Sequence, residues 1–244
     1  MARLLITGSS DGLGLLSARS LMEAGHRVVV HIRSHDRRPR VEDLLARGAD
    51  LVVGELSDLA GISSVADQVN ALGRMEGVIH NAGVYTGPGI LPVNVVAPYL
   101  LTCRLPRPER LITLSSGLHL NGRPRLDGLD WSGRRESATY ADSKLFVTAL
   151  TLALARSWPE VKVHAVNPGW VPTRMGGPHA TDDLHLGHLT QEWLATSSDP
   201  EVLLSGGYWY HQKRLAPHKA ASDPDLQERL LAVLREVTGE SLPR

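Results

Sequence analysis

A tyrosine and a lysine four residues apart, Tyr140 and Lys144, are the first candidates for chemistry in this sequence. The surrounding stretch, TYADSKLF, predicts a helix, on which residues four positions apart share one face. A free tyrosine has a pKa of about 10 and is a poor base at neutral pH, but a nearby ammonium favours the tyrosinate and lowers that pKa. Such a pair can move a proton to or from a carbonyl or alcohol oxygen.

The same spacing also fits an ordinary pair on a helix surface, and the two residues alone leave that alternative open. The composition supports the chemical interpretation. Of the 26 basic residues, only Lys144, Lys162, Lys213 and Lys219 are lysines. A chain that otherwise uses arginine has a compact ammonium at this position, which a planar guanidinium does not imitate.

A glycine-rich segment, TGSSDGLG, covers residues 7–14 between the first predicted strand and the first predicted helix. Gly8, Gly12 and Gly14 permit a tight turn and a close approach of the backbone to a ligand. The following helix N-terminus offers free N–H groups to a pyrophosphate. We predict a dinucleotide-binding loop; the alternative is a glycine turn without a ligand, since the spacing departs from the usual fingerprint.

The residues after the second predicted strand bear on the choice of cofactor. A carboxylate there would bind a ribose 2′-hydroxyl and favour NAD(H), whereas Arg33 can bind a 2′-phosphate. Arg33 therefore favours NADP(H), with NAD(H) left open. Asp11 in the glycine loop weighs against a phosphate, and a solvated basic loop is the alternative interpretation.

Short apolar strands alternate with helices through the first half of the chain. Strand runs that are apolar throughout predict a sheet buried on both faces, and the alternation predicts parallel βαβ units. We expect an α/β fold, a doubly wound parallel sheet with helices on both faces (a Rossmann fold), in one NAD(P)-binding domain over residues 1–244. Strands are predicted at 2–8, 26–33, 49–56, 75–83 and 110–116, and helices at 13–25, 41–48, 59–74 and 90–105.

The second half opens with a polar loop, and its long helix carries the tyrosine and the lysine. Residues 170–200 lack a clear period, so we expect a substrate-binding loop at about 170–200. Elements are predicted at 139–158 (helix), 161–169 (strand), 206–213 (strand) and 223–239 (helix). Large side chains expected to line a hydrophobic substrate pocket are Tyr85, Leu118, His119, Trp170, Met175 and Trp193. Packing in a helix core is the alternative for Trp193, and a structural or exposed role is the alternative for His119.

Composition excludes several functions. The formal net charge is zero, so no basic field favours nucleic acid. No apolar run reaches the roughly 20 residues of a membrane-spanning helix. Cys103 is the only cysteine, which suits a reducing compartment, and we expect a cytoplasmic protein. Three histidines near Asp182 and Asp183 suggest a metal, but the segment has no clear helix, and we expect no metal site.

Six motifs in one order together resemble the short-chain dehydrogenase/reductase family. They cover about 70% of the chain, and the long loop after the serine motif resembles the retinol-dehydrogenase-like branch. The motifs are TGSSDGLG at 7–14, HNAGV at 80–84, VNVVAP at 93–98, TLSS at 113–116, YADSK at 140–144 and VNPGWVPT at 166–173.

The resemblance implies a role for each matching position. Tyr140 would be the general acid/base and Lys144 would lower its pKa. Ser116 would polarise the substrate oxygen, and Asn94 would complete a tetrad through a proton relay. The cofactor-binding set implied by the motifs is Gly8, Ser9, Ser10, Gly12, Leu13, Gly14, Arg33, Glu55, Leu56, Asn81, Ala82, Gly83, Tyr140, Lys144, Pro168, Gly169, Val171 and Thr173.

Two features of the sequence depart from the family pattern. The stretch from Asn81 to Asn94 is short, so the helix that carries Asn94 must start late. In many relatives this helix helps to form a dimer, so a homodimer stays open while its helix looks shortened. Glu55 stands where relatives often have an aspartate beside adenine.

The sequence therefore predicts an oxidoreductase that transfers a hydride between NADP(H) and a small to medium, hydrophobic carbonyl or alcohol. The enzyme class is an NAD(P)-dependent carbonyl reductase or alcohol dehydrogenase. The alternative is a non-catalytic NADP(H)-binding sensor or regulatory protein on the same fold.

Overall fold

The computed structural model describes residues 1–243 and contains one eight-stranded sheet. All neighbouring strands are parallel except the last pair, so the predicted doubly wound sheet is confirmed. The strand order is β3-β2-β1-β4-β5-β6-β7-β8. The strands are β1 Arg3–Ile6, β2 Arg27–Ile32, β3 Asp50–Val53, β4 Gly77–His80, β5 Arg110–Leu114, β6 Lys162–Asn167, β7 Gly207–Tyr210 and β8 Lys213–Leu215.

Seven α-helices cover the two faces of the sheet in the described part of the chain. Alternate residues of one strand serve opposite layers: Leu5 packs with the helices of one face, and Leu4 and Ile6 pack with those of the other. This explains why the strands read as apolar throughout. The helices are α1 Gly12–Glu23, α2 Glu42–Ala46, α3 Leu59–Leu72, α4 Ala97–Arg104, α5 Tyr140–Ser157, α6 Leu184–Thr196 and α7 Pro224–Thr238.

The strand order places β1 between β2 and β4, so the chain reverses its direction of growth across the sheet at β1. In open parallel sheets the helices on either side of such a point separate, and a crevice opens at the carboxyl ends of the strands. The glycine loop after β1 and the Asn81 segment after β4 both lie there. The topology therefore places the predicted cofactor loop at the crevice.

The segment predicted as an irregular loop at 170–200 contains helix α6, which corrects that expectation in part. Asp183 caps the helix by accepting a hydrogen bond from the Leu186 N–H. The helix packs on α1 and on the sheet, and its buried residues include polar ones such as Gln191 and Glu192. Because polar side chains lie on its inner face, the apolar period that would have predicted this helix is weak.

The last predicted strand is two strands. His211 and Gln212 both have positive φ values, 48° and 60°, and reverse the chain between β7 and β8. A two-residue turn with both central φ values positive is the tight connection that antiparallel strands prefer. The sheet therefore ends in a hairpin.

The chain covers its own central helices. Helix α4 is buried from Ala97 to Thr102, and α5 has no exposed residue from Ala141 to Ala155. Leu226, Leu230 and Leu234 of α7 join the core beside α5. A helix that is buried all round has no free face for a partner. Within residues 1–243, no helix is both long and apolar enough to span a membrane.

The stability of the protein is expected to fall between about pH 6.5 and about pH 5. His80 and His164 are buried, and burial lowers the pKa of each to about 4. Unfolded histidine has a pKa of about 6.5, so in this window the unfolded chain binds protons that the folded chain does not. Each such histidine removes about 1.4 kcal/mol of unfolding free energy per pH unit. Urea unfolding at several pH values measures the slope.

His164→Gln should make that slope shallower, whereas replacing the exposed His35 by glutamine should leave it unchanged. An unfolding free energy that stays constant over this pH range would contradict the assignment of neutral buried histidines.

Candidate active site

A cleft of about 660 Å³ opens at the carboxyl ends of β1, β2, β4 and β5. It brings the glycine loop, the end of β2 and the Tyr140–Lys144 pair into one space. Of the residues predicted to bind the cofactor, fourteen line it: Gly8, Ser10, Gly12, Leu13, Arg33, Glu55, Leu56, Asn81, Ala82, Gly83, Tyr140, Lys144, Pro168 and Thr173. Four motifs far apart in the sequence therefore share this one cleft.

The glycine loop is held in place by backbone contacts that only glycine permits. Gly8 has a φ of +66°, and a Cβ there would lie 2.9 Å from Ala82 Cα. A Cβ on Gly14 would lie 2.4 Å from Asn81 Nδ2 and 2.7 Å from the Gly8 carbonyl oxygen. The absence of side chains lets α1 start directly against the end of β4. Gly14 therefore serves the packing beneath the loop and does not line the cleft.

Thr7 and Asn81 connect the loop to β4. The hydroxyl oxygen of Thr7 accepts hydrogen bonds from the N–H groups of Asn81 and Ala82, both at 3.0 Å. The Asn81 amide donates to the carbonyl oxygens of Thr7 at 2.9 Å and Gly8 at 3.1 Å. Asn81 thus organises the loop from behind.

His31 supports the same loop from β2. Its Nδ1 accepts the Gly8 N–H at 2.9 Å, and its Nε2 lies 2.8 Å from the Gly54 carbonyl oxygen. Because Nδ1 is an acceptor, Nε2 carries the proton and donates to Gly54. Burial lowers the pKa of His31 and keeps the ring neutral. His31 was given no role from the sequence, although a histidine within the apolar run VVVHI is the feature that could have indicated one.

Arg33 and Arg37 line the cleft at the end of β2. Asp11, which weighed against a phosphate, is compensated in the structure. One of its carboxylate oxygens accepts the Gly12 N–H at 2.9 Å, and the other forms an ion pair with Arg40 at 2.9 Å. The loop therefore presents less free negative charge to the cleft than the sequence alone suggests.

Helix α5 begins at Tyr140 because its first turn is capped on both sides. The Thr139 hydroxyl accepts the Asp142 N–H at 3.1 Å, and the Asp142 carboxylate accepts the Thr139 N–H at 2.9 Å. This reciprocal capping box satisfies two helix-end donors. Arg123 from the polar loop forms an ion pair with Asp142 at 3.0 Å. The cap fixes where the helix starts and hence where Tyr140 points.

Burial raises the pKa of Tyr140 to about 12, while the neighbouring Ser116 hydroxyl acts on that pKa in the opposite direction. The Tyr85 ring packs on it with centroids 4.7 Å apart. This corrects one expectation, because in the protein by itself the burial of Tyr140 outweighs any lowering of its pKa by Lys144. The phenol is protonated at neutral pH and is ready to act as an acid.

Lys144 lies one turn further along α5, with its Nζ 5.4 Å from the centre of the Tyr140 ring. Nζ donates a hydrogen bond to the Leu114 carbonyl oxygen at 2.7 Å, and burial lowers its pKa to about 8. An ammonium with this pKa is mostly charged at neutral pH. It supplies positive charge beside the phenol, as the pair interpretation requires.

Ser116 stands just after β5 and caps the short helical turn Gly117–Asn121. Its hydroxyl oxygen accepts the Leu118 N–H at 3.2 Å, and the same hydroxyl is near enough to Tyr140 to lower the pKa of the tyrosine. The structure therefore brings Ser116, Tyr140 and Lys144 together, although Ser116 and Tyr140 are separated in the chain by a polar loop.

Asn94 is buried in a wide π-helical turn, Pro92–Val96, that precedes α4. Its amide oxygen accepts the Val84 N–H at 2.9 Å, and its amide nitrogen donates to the Val84 carbonyl at 3.0 Å and to Ser143 Oγ at 2.9 Å. Asn94 thus connects the short segment after β4, at Val84, to Ser143 of helix α5. A Cβ on Gly83 would lie 3.3 Å from Asn94 Oδ1 and 3.6 Å from Lys144 Nζ, so the two side chains are close.

The predicted substrate-pocket residues separate into two groups. Tyr85 and Met175 line the cleft. Leu118 and Trp170 are exposed outside its lining, and His119 is fully buried. Trp193 packs edge-on against Trp209, with centroids 5.2 Å apart, on the α6 side of the sheet. The assignment of these four residues to the pocket wall is therefore corrected. For Trp193 and His119 the structure supports the alternatives, core packing against Trp209 and a buried structural role.

Some residues predicted to bind the cofactor lie outside the cleft lining, and one residue that was not predicted belongs to it. The Ser9 hydroxyl is buried and donates to the Ile6 carbonyl at 2.6 Å, and Gly169 and Val171 lie outside the cleft lining. Arg174, which sequence reasoning missed, does line it. In residues 1–243 no group of three or more potential ligands is placed to hold a metal ion, and His188 is paired with Glu192 at 2.6 Å.

Comparison with known proteins identifies the family. A family model described as short chain dehydrogenase matches residues 2–97. The short-chain dehydrogenase chyC of Penicillium rubens is 37% identical over 258 residues, covering 100% of both chains. The putative daunorubicin C-13 ketoreductase DnrU of a Streptomyces species is 31% identical and covers 98% of this chain and 91% of DnrU. The chain belongs to the short-chain dehydrogenase/reductase family and is an oxidoreductase.

More distant relatives agree with the expected branch and fold. Human retinol dehydrogenase 13 is 28% identical, covering 98% of this chain and 85% of that protein. An uncharacterised protein from Mycobacterium paratuberculosis superimposes with a TM-score of 0.80 at 23% identity, covering 100% and 96% of the two chains. Pseudomonas aeruginosa RhlG in its complex with NADP gives 0.70 at 20% identity, covering 86% and 94%. These structures show the same fold.

The residues of the cleft fit the nicotinamide dinucleotide that the family uses. The N-terminus of α1 and the backbone of the glycine loop offer N–H donors to a pyrophosphate. Arg33 and Arg37 line the end of the cleft beside β2, where the adenosine ribose would lie. The fit is one of chemistry and of space, since the cleft runs from these arginines to Tyr140 and Lys144.

Gly14→Ala is expected to weaken NADPH binding by at least about tenfold, which corresponds to about 1.4 kcal/mol. The new methyl would displace Asn81 and the Gly8 carbonyl, and with them the loop. The unfolding free energy should fall by about 1–3 kcal/mol. NADPH fluorescence titration and urea unfolding measure the two effects.

Gly89→Ala is the matched control, because a Cβ there lies 3.9 Å from the side chains of Val84 and Val93. It should leave NADPH affinity unchanged. Equal affinities for Gly14→Ala and the unmodified protein would refute the role of the close packing beneath the loop.

Proposed function

We propose that this protein is an NADP(H)-dependent carbonyl reductase, or the corresponding alcohol dehydrogenase, for small to medium hydrophobic substrates. The observation that carries the proposal is the convergence of Ser116, Tyr140 and Lys144 beside the cleft that also holds the glycine loop. The DnrU relative is a putative ketoreductase, which supports carbonyl reduction.

The bound cofactor would supply the hydride. The protein groups would handle the oxygen that becomes negatively charged. The Ser116 hydroxyl can donate a hydrogen bond to that oxygen, and Tyr140, with its high pKa, holds the proton that the oxygen needs. The Lys144 ammonium, beside the phenol, stabilises the negative charge left on Tyr140.

Burial keeps Tyr140 in the protonated form that donates a proton in carbonyl reduction. A phenol with a pKa of about 12 is protonated, and oxidation of an alcohol would first require its ionisation. Asn94, close to Lys144, is proposed to support the return of protons to Lys144 through a water.

NADP(H) is favoured over NAD(H) because the end of β2 presents Arg33 and Arg37 to the cleft. The nearest acid after β2, Asp36, accepts a hydrogen bond from the Ser34 hydroxyl and lies 3.8 Å from Arg37. RhlG, which has the same fold, is itself found in a complex with NADP. Ion pairing of Asp11 with Arg40 removes the main argument against a 2′-phosphate.

A hydrophobic substrate is favoured by the side chains beside Tyr140. Val84, Tyr85, Val93 and Met175 line that end of the cleft, and Tyr85 and Met175 are about half exposed, at 51% and 49%. Apolar side chains at the mouth of a cleft give binding energy to an apolar ligand. A non-catalytic sensor is not favoured, because such a protein has no need of the complete Ser116, Tyr140 and Lys144 set.

The proposal extends to assembly and location. The faces of α4 and α5 are covered by the chain itself, so we propose that this helix pair is not a homodimer interface. A homodimer through another surface stays open. The cytoplasmic location stays a proposal that depends on the single cysteine.

The deciding experiment is a panel of aromatic aldehydes, ketones and α-diketones, including benzaldehyde, acetophenone and 1-phenyl-1,2-propanedione. Loss of the NADPH and NADH absorbance bands is followed for each. Faster turnover with NADPH and with the larger apolar carbonyls is expected. Tight NADPH binding without turnover of any carbonyl or alcohol would favour the sensor instead.

Tyr140→Phe should lower kcat by about 10²- to 10⁴-fold, because it removes the proton donor while keeping the ring. NADPH affinity should change little, since the aromatic packing with Tyr85 remains. Steady-state kinetics and NADPH titration separate the two effects. Tyr99→Phe is the control, because the Tyr99 hydroxyl donates to the Glu240 carbonyl outside the cleft. Near-normal turnover in Tyr140→Phe would overturn the catalytic assignment.

Arg33→Ala should weaken NADPH binding by about tenfold or more while leaving NADH affinity within about twofold, because only NADPH carries the 2′-phosphate. Arg38→Ala is the matched control, since Arg38 pairs with Glu42 at 3.3 Å and lies outside the cleft lining. Titrations of both cofactors against each variant give the ratio of affinities. An unchanged ratio in Arg33→Ala would show that the arginine does not select the cofactor.

A further inference from the structure

His119 is buried directly behind Ser116, with no exposed surface. Its Nδ1 lies 2.8 Å from the Ser116 carbonyl oxygen, and its Nε2 accepts the backbone N–H of His218 at 2.9 Å. A backbone N–H can only donate, so Nε2 must be unprotonated. The proton of the neutral ring is therefore on Nδ1, which donates to Ser116. Burial lowers the pKa of His119, in agreement with a neutral ring.

The Ser116 carbonyl oxygen is surrounded by three donors. Besides His119 Nδ1, it accepts the His119 backbone N–H at 3.1 Å and the Tyr208 hydroxyl at 3.3 Å. The rings of His119 and Tyr208 pack with centroids 4.5 Å apart. Two side chains from different parts of the fold thus converge on the backbone of one residue. The hydroxyl of that same residue acts on Tyr140.

The contact also connects the site to the C-terminal part of the chain. His218 immediately precedes the short turn Lys219–Ser222, which packs against α5 and leads into α7. Its backbone N–H reaches back over 99 residues of sequence to His119. Ser116 is therefore held from β5, from β7 through Tyr208, and from the C-terminal segment through His119.

We propose that His119 is a positioning residue for Ser116. It fixes the serine through its carbonyl oxygen, so that the hydroxyl is directed at Tyr140 and at the oxygen being reduced. Its second nitrogen makes the C-terminal segment part of this support. The proposal depends on the proposed function, in which Ser116 polarises the carbonyl. His119 itself is not among the residues that line the cleft.

Two conservative variants separate the two hydrogen bonds. The asparagine amide nitrogen can take the place of Nδ1, so His119→Asn keeps a donor for Ser116 and loses the acceptor for His218. The longer His119→Gln places its amide near Nε2, keeps the acceptor and loses the donor. Each loses one hydrogen bond. His119→Gln is expected to lower kcat about 10- to 100-fold, because a small displacement of a catalytic group is costly. His119→Asn should stay within about threefold.

A purely structural role predicts a different pattern. Both variants would then lose activity in proportion to the unfolded fraction, which urea unfolding measures, and the folded fraction would keep its kcat. KM for the carbonyl should change less than kcat in His119→Gln if positioning is correct. Equal kcat values for the two variants after correction for folding would overturn the proposal.

A double-mutant cycle tests whether His119 acts through Ser116. Single-turnover rates with NADPH and the best carbonyl of the panel are measured for His119→Gln, Ser116→Ala and the combination. The loss caused by His119→Gln should shrink to about twofold or less once Ser116 is alanine. His164→Gln is the matched control, because this buried histidine also bonds to backbone groups, at Val202 and Gly207. Its effect should be independent of Ser116→Ala.

The outcomes distinguish the proposal from the function that it depends on. If Ser116→Ala is fully active, both the serine assignment and the positioning role fail. If Ser116→Ala is impaired and the two losses multiply in the combination, only the positioning role fails.

A measurement without turnover completes the test. NMR of protein with ¹⁵N-labelled histidine, assigned by the signal lost in His119→Asn, reports the proton position in the ring. A neutral ring protonated at Nδ1 at about pH 7 is expected. A ring protonated at Nε2, or at both nitrogens, would remove the bond on which the proposal rests.

Discussion

Burying the ammonium of Lys144 is the constraint on which the site depends. An unpaired buried charge costs several kcal/mol, so its position has to be supported by polar groups. The carbonyl of Leu114, the last residue of β5, accepts its hydrogen bond at 2.7 Å, which fixes α5 against the end of that strand. Tyr140 is the first residue of α5, and Ser116 follows β5 by two residues. One contact between a helix and a strand end therefore sets the relative positions of all three groups. Burial lowers the pKa of Lys144 only to about 8, so most of the ammonium groups keep their charge at neutral pH.

The parts of the molecule that depend on local pattern could be predicted from the sequence. The apolar strands, the order of motifs and the position of the glycine loop led to the parallel sheet, and the comparisons confirmed the family. Most residues expected around the cofactor line one cleft, because parallel strands bring their carboxyl ends to one edge. The reduced length before Asn94 was also readable. Its structural answer, a π-helical turn tied to Val84, was not, because it depends on which backbone groups the asparagine can reach.

What the sequence could not supply are contacts across long separations and the balance between opposing electrostatic effects. The size of His119 and Trp193 left both a pocket and a structural role open, and the structure decides between them, since His119 bonds to the Ser116 carbonyl and Trp193 packs on Trp209. Helix α6 was hidden because its inner face carries polar groups such as Glu192, whose carboxylate accepts a hydrogen bond from Ser20 at 2.6 Å. Burial raises the pKa of Tyr140, and a neighbouring positive charge lowers it. The degree of burial, which only the structure gives, decides whether the pKa rises or falls.

The hairpin at the end of the sheet has a consequence for the behaviour of the protein in concentrated solution. An exposed outer strand offers unpaired backbone groups to any other chain with a free strand. Here the outer strand is β8, three residues long, and all three are exposed. Two of them, Lys213 and Arg214, are cationic, and a second copy approaching with its own β8 would bring like charges together. The hairpin thus ends the sheet at this edge and makes pairing between the β8 strands of two molecules unfavourable.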